Sequence, residues 1–477
     1  MSSIGRESTA RIVKRSRRPE SEWLPPALLW LVTCILIVAR QGTVLTLAFP
    51  VLSILVGFWL YFKAPAKFLG YMWWLWFLSP EVRRLADWFK GAYTPTSLIQ
   101  VAPLAVSMIS GVSLLRFYPV LAKRRGLPVL LMLVGIVYAF VIGVFSNGLL
   151  AALYDVANWV YPILIGFHII ANWRLYPNFR TVVVGAFIQG MLVMGLYGAL
   201  QFLVMPPWDA LWMMNAQMNS QGDPVQFGVR VFSTMNSSGP FAFAMLAALV
   251  YVTASRHRLR WIATVAGFVS FALSLVRSAW GGWLISMLVQ IVKSSNRVRL
   301  RIVVGAVAVV VIAIPMLMIG PMAERMQIRL ESMINLGDDH SYTVRNQFYS
   351  QFAGIAFTNL AGSGMGATGT STKLTREDAQ LGEYGNFDSG VMNIPFVLGW
   401  PGTLLYMMGV VWILMRGLLT SQCIRSDRFA TANLSIALAT ISMLVFTNSL
   451  VGTGGLMFFE SICFVLAGAR WKKSQVK

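Results

Sequence analysis

Charge is scarce in this chain: 12% of its 477 residues are Asp, Glu, Lys or Arg, about half the share of a soluble domain. Acidic residues are scarcer still, 18 against 39 basic ones. Cysteine and histidine are nearly absent, with three of each. Cys34 and Cys463 fall within apolar stretches and Cys423 in a basic loop, which excludes a disulfide-built secreted scaffold. His168, His257 and His340 stand far apart, without the spacing of a metal motif, so no structural metal is expected. With 57% hydrophobic residues and a mean hydropathy of +0.65, a soluble fold is excluded as well. The apolar residues come in long runs, and in lipid such runs must be helical so that their backbone groups bond internally.

A spanning helix needs about 20 mostly apolar residues. The first half of the chain offers such runs at 24–39, 43–62, 68–80, 98–115, 127–145, 149–171 and 181–204. The second half adds 238–254, 261–276, 278–292, 302–320, 390–415, 431–450 and 453–469. The expected fold is therefore all-α, a polytopic membrane bundle of about 14 transmembrane helices. A polar, basic tail (1–23) precedes eleven spans (24–320), a long loop (321–389), three more spans (390–469) and a short basic tail (470–477). No small-residue cleavage site follows the first apolar run, which reads as a first helix rather than a signal peptide.

The net charge of +21 raises the question of nucleic acid, and its distribution answers it. If the N-terminus is inside and the spans alternate, 28 of the 39 basic residues fall on the inner side with four acidic ones. The outer side then holds 11 basic and 12 acidic residues. This is the positive-inside asymmetry, and it accounts for the whole excess. Nucleic acid is not needed as a partner, and anionic membrane lipids are the expected one.

Two outer loops are long, 205–237 and 321–389, and long loops often carry function. The first contains Arg230-Val-Phe-Ser-Thr-Met-Asn236-Ser-Ser-Gly239-Pro240, and the second contains Arg325, Arg329, Arg345, Gly362-Ser-Gly364-Met-Gly366 and Asn386-Phe-Asp388-Ser-Gly390. Between 261 and 292 the only charge is Arg277, which must sit near the outer turning point of two spans. An arginine there either snorkels to lipid phosphates or faces a cavity or partner. Arg230, Arg277 and Arg345 thus reach the outer side from three separate elements, and guanidinium forks suit phosphate oxygens. Taken singly, each is also a candidate for a solvated loop charge or a salt bridge to Glu324, Glu331 or Asp338. Asp155 and Glu460 lie within spans, where carboxyl groups either shuttle protons, as in a transporter, or stay neutral and hydrogen-bonded in the bundle, the reading favoured for both. The run Trp73-Trp74-Leu75-Trp76 reads as an interfacial aromatic anchor. Asp338-Asp339 in the long loop reads as a solvated turn rather than a metal site.

From about residue 180 to 420 the chain resembles the O-antigen polymerase and O-antigen ligase superfamily of bacterial glycosyltransferases. The resemblance rests on Arg230 through Phe241, Ser274-Leu-Val-Arg277-Ser-Ala-Trp280, Arg345 followed by Gly364 and Gly366, and Asp388-Ser-Gly390 leading into Gly399-Trp-Pro-Gly402. It implies a C-type glycosyltransferase of the inner membrane acting on a polyprenyl-diphosphate-linked oligosaccharide at the periplasmic face, and the charge distribution places both termini in the cytoplasm. The arginines matching Arg230, Arg277 and Arg345 would bind the diphosphate and stabilise it as leaving group. A diphosphate leaves readily, so no general acid is required, and the acceptor hydroxyl would attack with inversion. Because the outer loops offer no close set of hard oxygen ligands beyond Asp338-Asp339, neither metal nor other cofactor is expected.

Two departures stand out. Ligases of the family carry a histidine where this chain has Asp388, which favours a polymerase and makes Asp388 the candidate base, with a helix N-cap or a salt-bridge partner of one of the arginines as its alternative roles. The first motif also has Ser233 where the family has glycine. A polymerase, with a chain-length regulator as candidate partner, is therefore expected ahead of a ligase. A polysaccharide flippase is the reading from another class, but no internal repeat of the transporter kind is visible.

Overall fold

The computed structural model describes residues 21–475, except 122, 124–125, 217–218, 295, 318–357, 375–388 and 425. The described chain is an all-α bundle. Its helices are α1 Leu24–Val38, α2 Gly42–Lys63, α3 Pro65–Lys90, α4 Leu98–Arg116, α5 Leu127–Asn147, α6 Leu149–Ala171 and α7 Tyr176–Val204. After the short α8 Pro207–Ala216 come α9 Ser238–Tyr251, α10 Arg260–Leu273, α11 Arg277–Lys293, α12 Asn296–Leu317, α13 Gly390–Ser421, α14 Arg428–Ser442 and α15 Gly452–Gln475. Each apolar run read from the sequence overlaps one of these helices, although the run 431–450 continues past the end of α14 and 318–320 lie outside the described residues. Among the described residues eight helices are long and apolar enough to cross a membrane unaided, while α1, α9 and α10 are shorter apolar helices.

The ends of these helices follow from local chemistry. Pro65 occupies the first turn of α3, where its missing N–H costs nothing, and Gly91 closes the helix in the left-handed conformation (φ 72°). Asp427 caps α14 by accepting from the N–H groups of Phe429 and Ala430. Packing joins helices far apart in sequence: α5 lies along α13, α6 along α15, and α7 against α3 and α10. Leu, Val and Trp side chains remain exposed along α1, α2, α5 and α12, as on Leu55, Val137 and Val304. A lipid-facing surface requires this, because there is no water to drive those groups inward.

Two expectations are corrected. The short run 68–80 is the middle of α3, which continues past Pro80 for ten further residues and buries Glu81, Arg83, Arg84 and Asp87. The tryptophan run is consequently not interfacial. Trp73 is fully buried and donates its indole N–H to Glu460 at 2.9 Å, and Trp76 stacks on Tyr161 and donates to Ser107. Glu460 is thereby held as a bundle contact, as its sequence reading supposed.

The glycine-rich part of the second long loop enters the bundle. α13 breaks at Gly399 (φ 62°), and the segment around Gly362-Ser-Gly364-Met-Gly366 lies in the gap. Ser363 and Gly364 donate to the carbonyls of Phe396 and Val397, Met365 donates to Ala139 of α5, and Trp400 donates to Leu360. Asn147 holds the carbonyls of Ser363 and Met365 through its amide, and Asp155 of α6 accepts from the Gly366 N–H at 2.8 Å. Ala139 is eight residues from the end of α5, so the loop dips roughly 12 Å along that helix. Irregular backbone is tolerated at such depth only when buried in protein with its polar groups satisfied. Glycine is required because a Cβ on Gly364 would stand 2.3 Å from the Gly143 nitrogen, and one on Gly399 2.2 Å from the Ala361 oxygen.

Candidate functional site at the loop end of the bundle

The loop 205–237 is built around Arg84, which is 1% exposed. Its guanidinium pairs with Asp209 of α8 at 2.8 Å and with Glu81 one turn earlier, and donates to the carbonyls of Ser233 and Met235. Tyr197 gives its hydroxyl proton toward Glu81 (2.6 Å) and lies 3.1 Å from Asp209, while it accepts from the Trp208 indole. Burial pushes the Asp209 carboxyl up to about 7; Arg84 pulls it down and Glu81 raises it. Gln201 completes the arrangement, its amide N–H on Asp209 and its carbonyl receiving the N–H groups of Phe232 and Ser233.

This network sets the backbone of the first sequence motif. Ser233 takes φ 53°, the left-handed region that costs a side-chain-bearing residue about 1–3 kcal/mol. Contacts at N, O and Oγ (to Gln201, Arg84 and the Met194 carbonyl) hold it there. The motif then delivers Arg230, half-buried, whose guanidinium donates to the carbonyls of Ser220 (2.8 Å), Leu275 (3.2 Å) and Ser274 (3.4 Å). Val231 adds a backbone bond to Leu273. Arg230 is thus clasped to the turn between α10 and α11, and that turn leads into Arg277, the first residue of α11. Leu275 within it is also left-handed, at φ 54°. Two of the three arginines expected at the site are therefore brought to one turn, beside a helix N-terminus whose N-cap, Val276, has no capping side chain. Such an end favours anions through its N–H groups and dipole.

Arg83 and Lys373 form a second pair of cations. Arg83 of α3, buried, donates to the Thr94 carbonyl and packs over Tyr93. Beyond the glycine-rich turn, Lys373 is held below its usual basicity by burial, and next by the Arg83 charge. Asn393 of α13 bridges Thr368 and Asn448. Arg345 and Asp388 lie outside the described residues. The N-cap position of α13 falls on Ser389, not on Asp388.

Sequence reasoning missed Glu81, Arg83, Arg84, Asp87 and Asp209. Their signal was present: Glu81–Arg84 at i,i+3 and Arg83–Asp87 at i,i+4 are helix-face spacings. It went unread because the apolar run ends at 80, just before these charges, whereas the helix continues through Pro80, as membrane helices tolerate internal proline. No protein-family model matches the chain, and no curated protein is significantly similar to it.

Proposed function

We propose that this protein is a polysaccharide polymerase of the bacterial inner membrane, with about fourteen spans and both termini in the cytoplasm. It would transfer a glycan from a polyprenyl-diphosphate donor to a hydroxyl of another lipid-linked repeat unit at the periplasmic face. The observation that carries the reading is the clasp of Arg230 on the Ser274–Leu275 turn that opens into Arg277. Cations and helix N–H groups gathered at one turn suit a leaving diphosphate, whose charge grows in the transition state. The left-handed backbone at Ser233 adds support, since the resembled family carries glycine there. In the proposed reaction the acceptor oxygen bonds to the anomeric carbon as the diphosphate oxygen departs with the electron pair. The acceptor proton passes to a base, for which Asp388 is the candidate.

The test is purified protein supplied with a short lipid-linked oligosaccharide, read for products of two or more repeat units. Arg230→Ala, Arg277→Ala and Arg345→Ala should each lose most activity while remaining inserted, and lysine should rescue poorly because an ammonium lacks the planar fork. Asp388→Asn should lower the rate about 10²–10⁴-fold. Full activity in any two of the alanine variants, or no product longer than one unit with wild type, overturns the proposal. Transfer of single finished glycans to a different acceptor would instead identify a ligase.

A further inference from the structure

At the other end of the bundle lies a second constellation. Helix α7 connects the two: Tyr197 belongs to the Arg84 network and Arg180 lies seventeen residues earlier, roughly 26 Å away along the helix. Around Arg180 is a cavity of about 480 Å³ whose lining includes Arg180, Arg256, Arg260, Arg301 and Arg428 against one carboxylate, Asp427. That carboxylate is already engaged. It caps α14, accepts from the Tyr176 hydroxyl at 2.8 Å, and lies 3.9 Å from Arg180. Two of the arginines, Arg260 and Arg428, are the first residues of α10 and α14, where the helix dipole disfavours a cation. The cavity therefore gathers five guanidiniums and two positive helix ends with one carboxylate to offset them.

Three of these arginines, Arg260, Arg301 and Arg428, also line the mouth of an adjoining apolar groove of about 650 Å³ between α10, α11 and α12. Its walls include Trp261 and Phe268 of α10, Met287 of α11 and Val304 of α12. From Arg260 to Phe268 the groove follows α10 for roughly 12 Å, most of the hydrocarbon depth of one leaflet, about 15 Å. It lies beside the lipid-facing side, where Trp261 and Val304 are more than half exposed.

We propose that this paired cavity and groove is an anionic glycerophospholipid site, with the phosphate in the arginine cavity and an acyl chain along the groove. The charge selects the headgroup, and the contiguous apolar groove selects a molecule that carries a chain with it. The surrounding leaflet supplies such a lipid by lateral diffusion. Bound there, it would fasten α10, α11 and α12 to α14, neutralising a cluster that otherwise repels itself.

The full-length protein in neutral detergent tests this, by titration with phosphatidylglycerol, phosphatidylcholine or inorganic phosphate and a reading of melting temperature and of bound lipid by native mass spectrometry. Phosphatidylglycerol should raise the melting temperature, and the other two should not. Arg301→Gln with Arg428→Gln should weaken phosphatidylglycerol binding about tenfold or more. Removing two exposed tail charges, Lys472→Gln with Lys473→Gln, should leave it unchanged. Gly305→Leu projects a side chain into the groove, since a Cβ at Gly305 meets nothing within 4 Å; it should weaken lipid binding and leave the ligand-free melting temperature in place. Equal shifts with both lipids overturn the proposal. So does inorganic phosphate matching phosphatidylglycerol, or equal losses in the cavity and tail double variants.

Discussion

Arg84 shows how one residue organises a loop. Burying a guanidinium is costly unless it is paired and fully hydrogen-bonded, and here two carboxylates and two carbonyls meet it. Two carboxylates against one cation leave the cluster a charge too negative if both ionise, so one is driven to keep its proton. That group is Asp209, with its carboxyl up to about 7. The folded state then holds a proton that the unfolded chain releases near pH 3.9, so stability from this site is full below about 3.9 and falls as pH rises through 7. The slope is at most about 1.4 kcal/mol per pH unit. Melting of the purified protein between pH 5 and 8 should therefore show wild type losing stability toward pH 8 relative to Asp209→Asn, which has no proton to lose. Parallel melting of the two across that range would show that Asp209 is ionised throughout.

Among the elements, the inserted glycine turn is the most exacting. Helices tolerate substitution on their lipid faces, but the 360–366 segment meets α5 and α13 backbone to backbone. Gly364→Ala adds both a clash with Gly143 and a left-handed penalty at φ 76°, together about 2–5 kcal/mol from overpacking of ~1–3 and handedness of ~1–2. Gly369 is also left-handed (φ 69°) but has nothing within 4 Å of a Cβ, so Gly369→Ala should cost only about 1–2 kcal/mol. Hydrogen exchange over 360–366 should accelerate strongly in the first variant and little in the second. Equal behaviour would mean that the turn is not seated between the helices. Asp155, which receives the Gly366 N–H, is held by the same docking.

The whole molecule carries an electrical asymmetry that its fold turns into two ends. One gathers Arg84, Arg230 and Arg277 with nearby carboxylates and loop carbonyls; the other gathers Arg180, Arg256, Arg260, Arg301 and Arg428 around a single aspartate. In the proposed orientation, which follows the positive-inside rule, the second end faces the cytoplasm. Cysteine labelling of intact cells should then reach residues 205–237 and 321–389 from outside, and residues 116–126, 255–260 and 294–301 only after the membrane is opened. Labelling of 321–389 from the cytoplasm alone would put the polymerase site on the wrong face and end that proposal.

Periodicity, run length and charge were enough to determine an all-α membrane bundle, because lipid permits few backbone solutions and each helix must satisfy itself. For the same reason the helix positions were legible: the runs 127–145 and 149–171 appear as α5 and α6 with nearly the same ends. The approximate place of Arg277 was legible too, since an otherwise uncharged stretch between basic loops has one turning point. What the tertiary structure decided is which distant pieces meet. Nothing local in Arg230 announces that it clasps Ser274 and Leu275, or that Arg84 sets the backbone of Ser233 from 149 residues away. The end of the run 68–80 and the tryptophan run were misread because burial depends on neighbours: Trp73 meets Glu460 of α15, a partner 387 residues further along the chain.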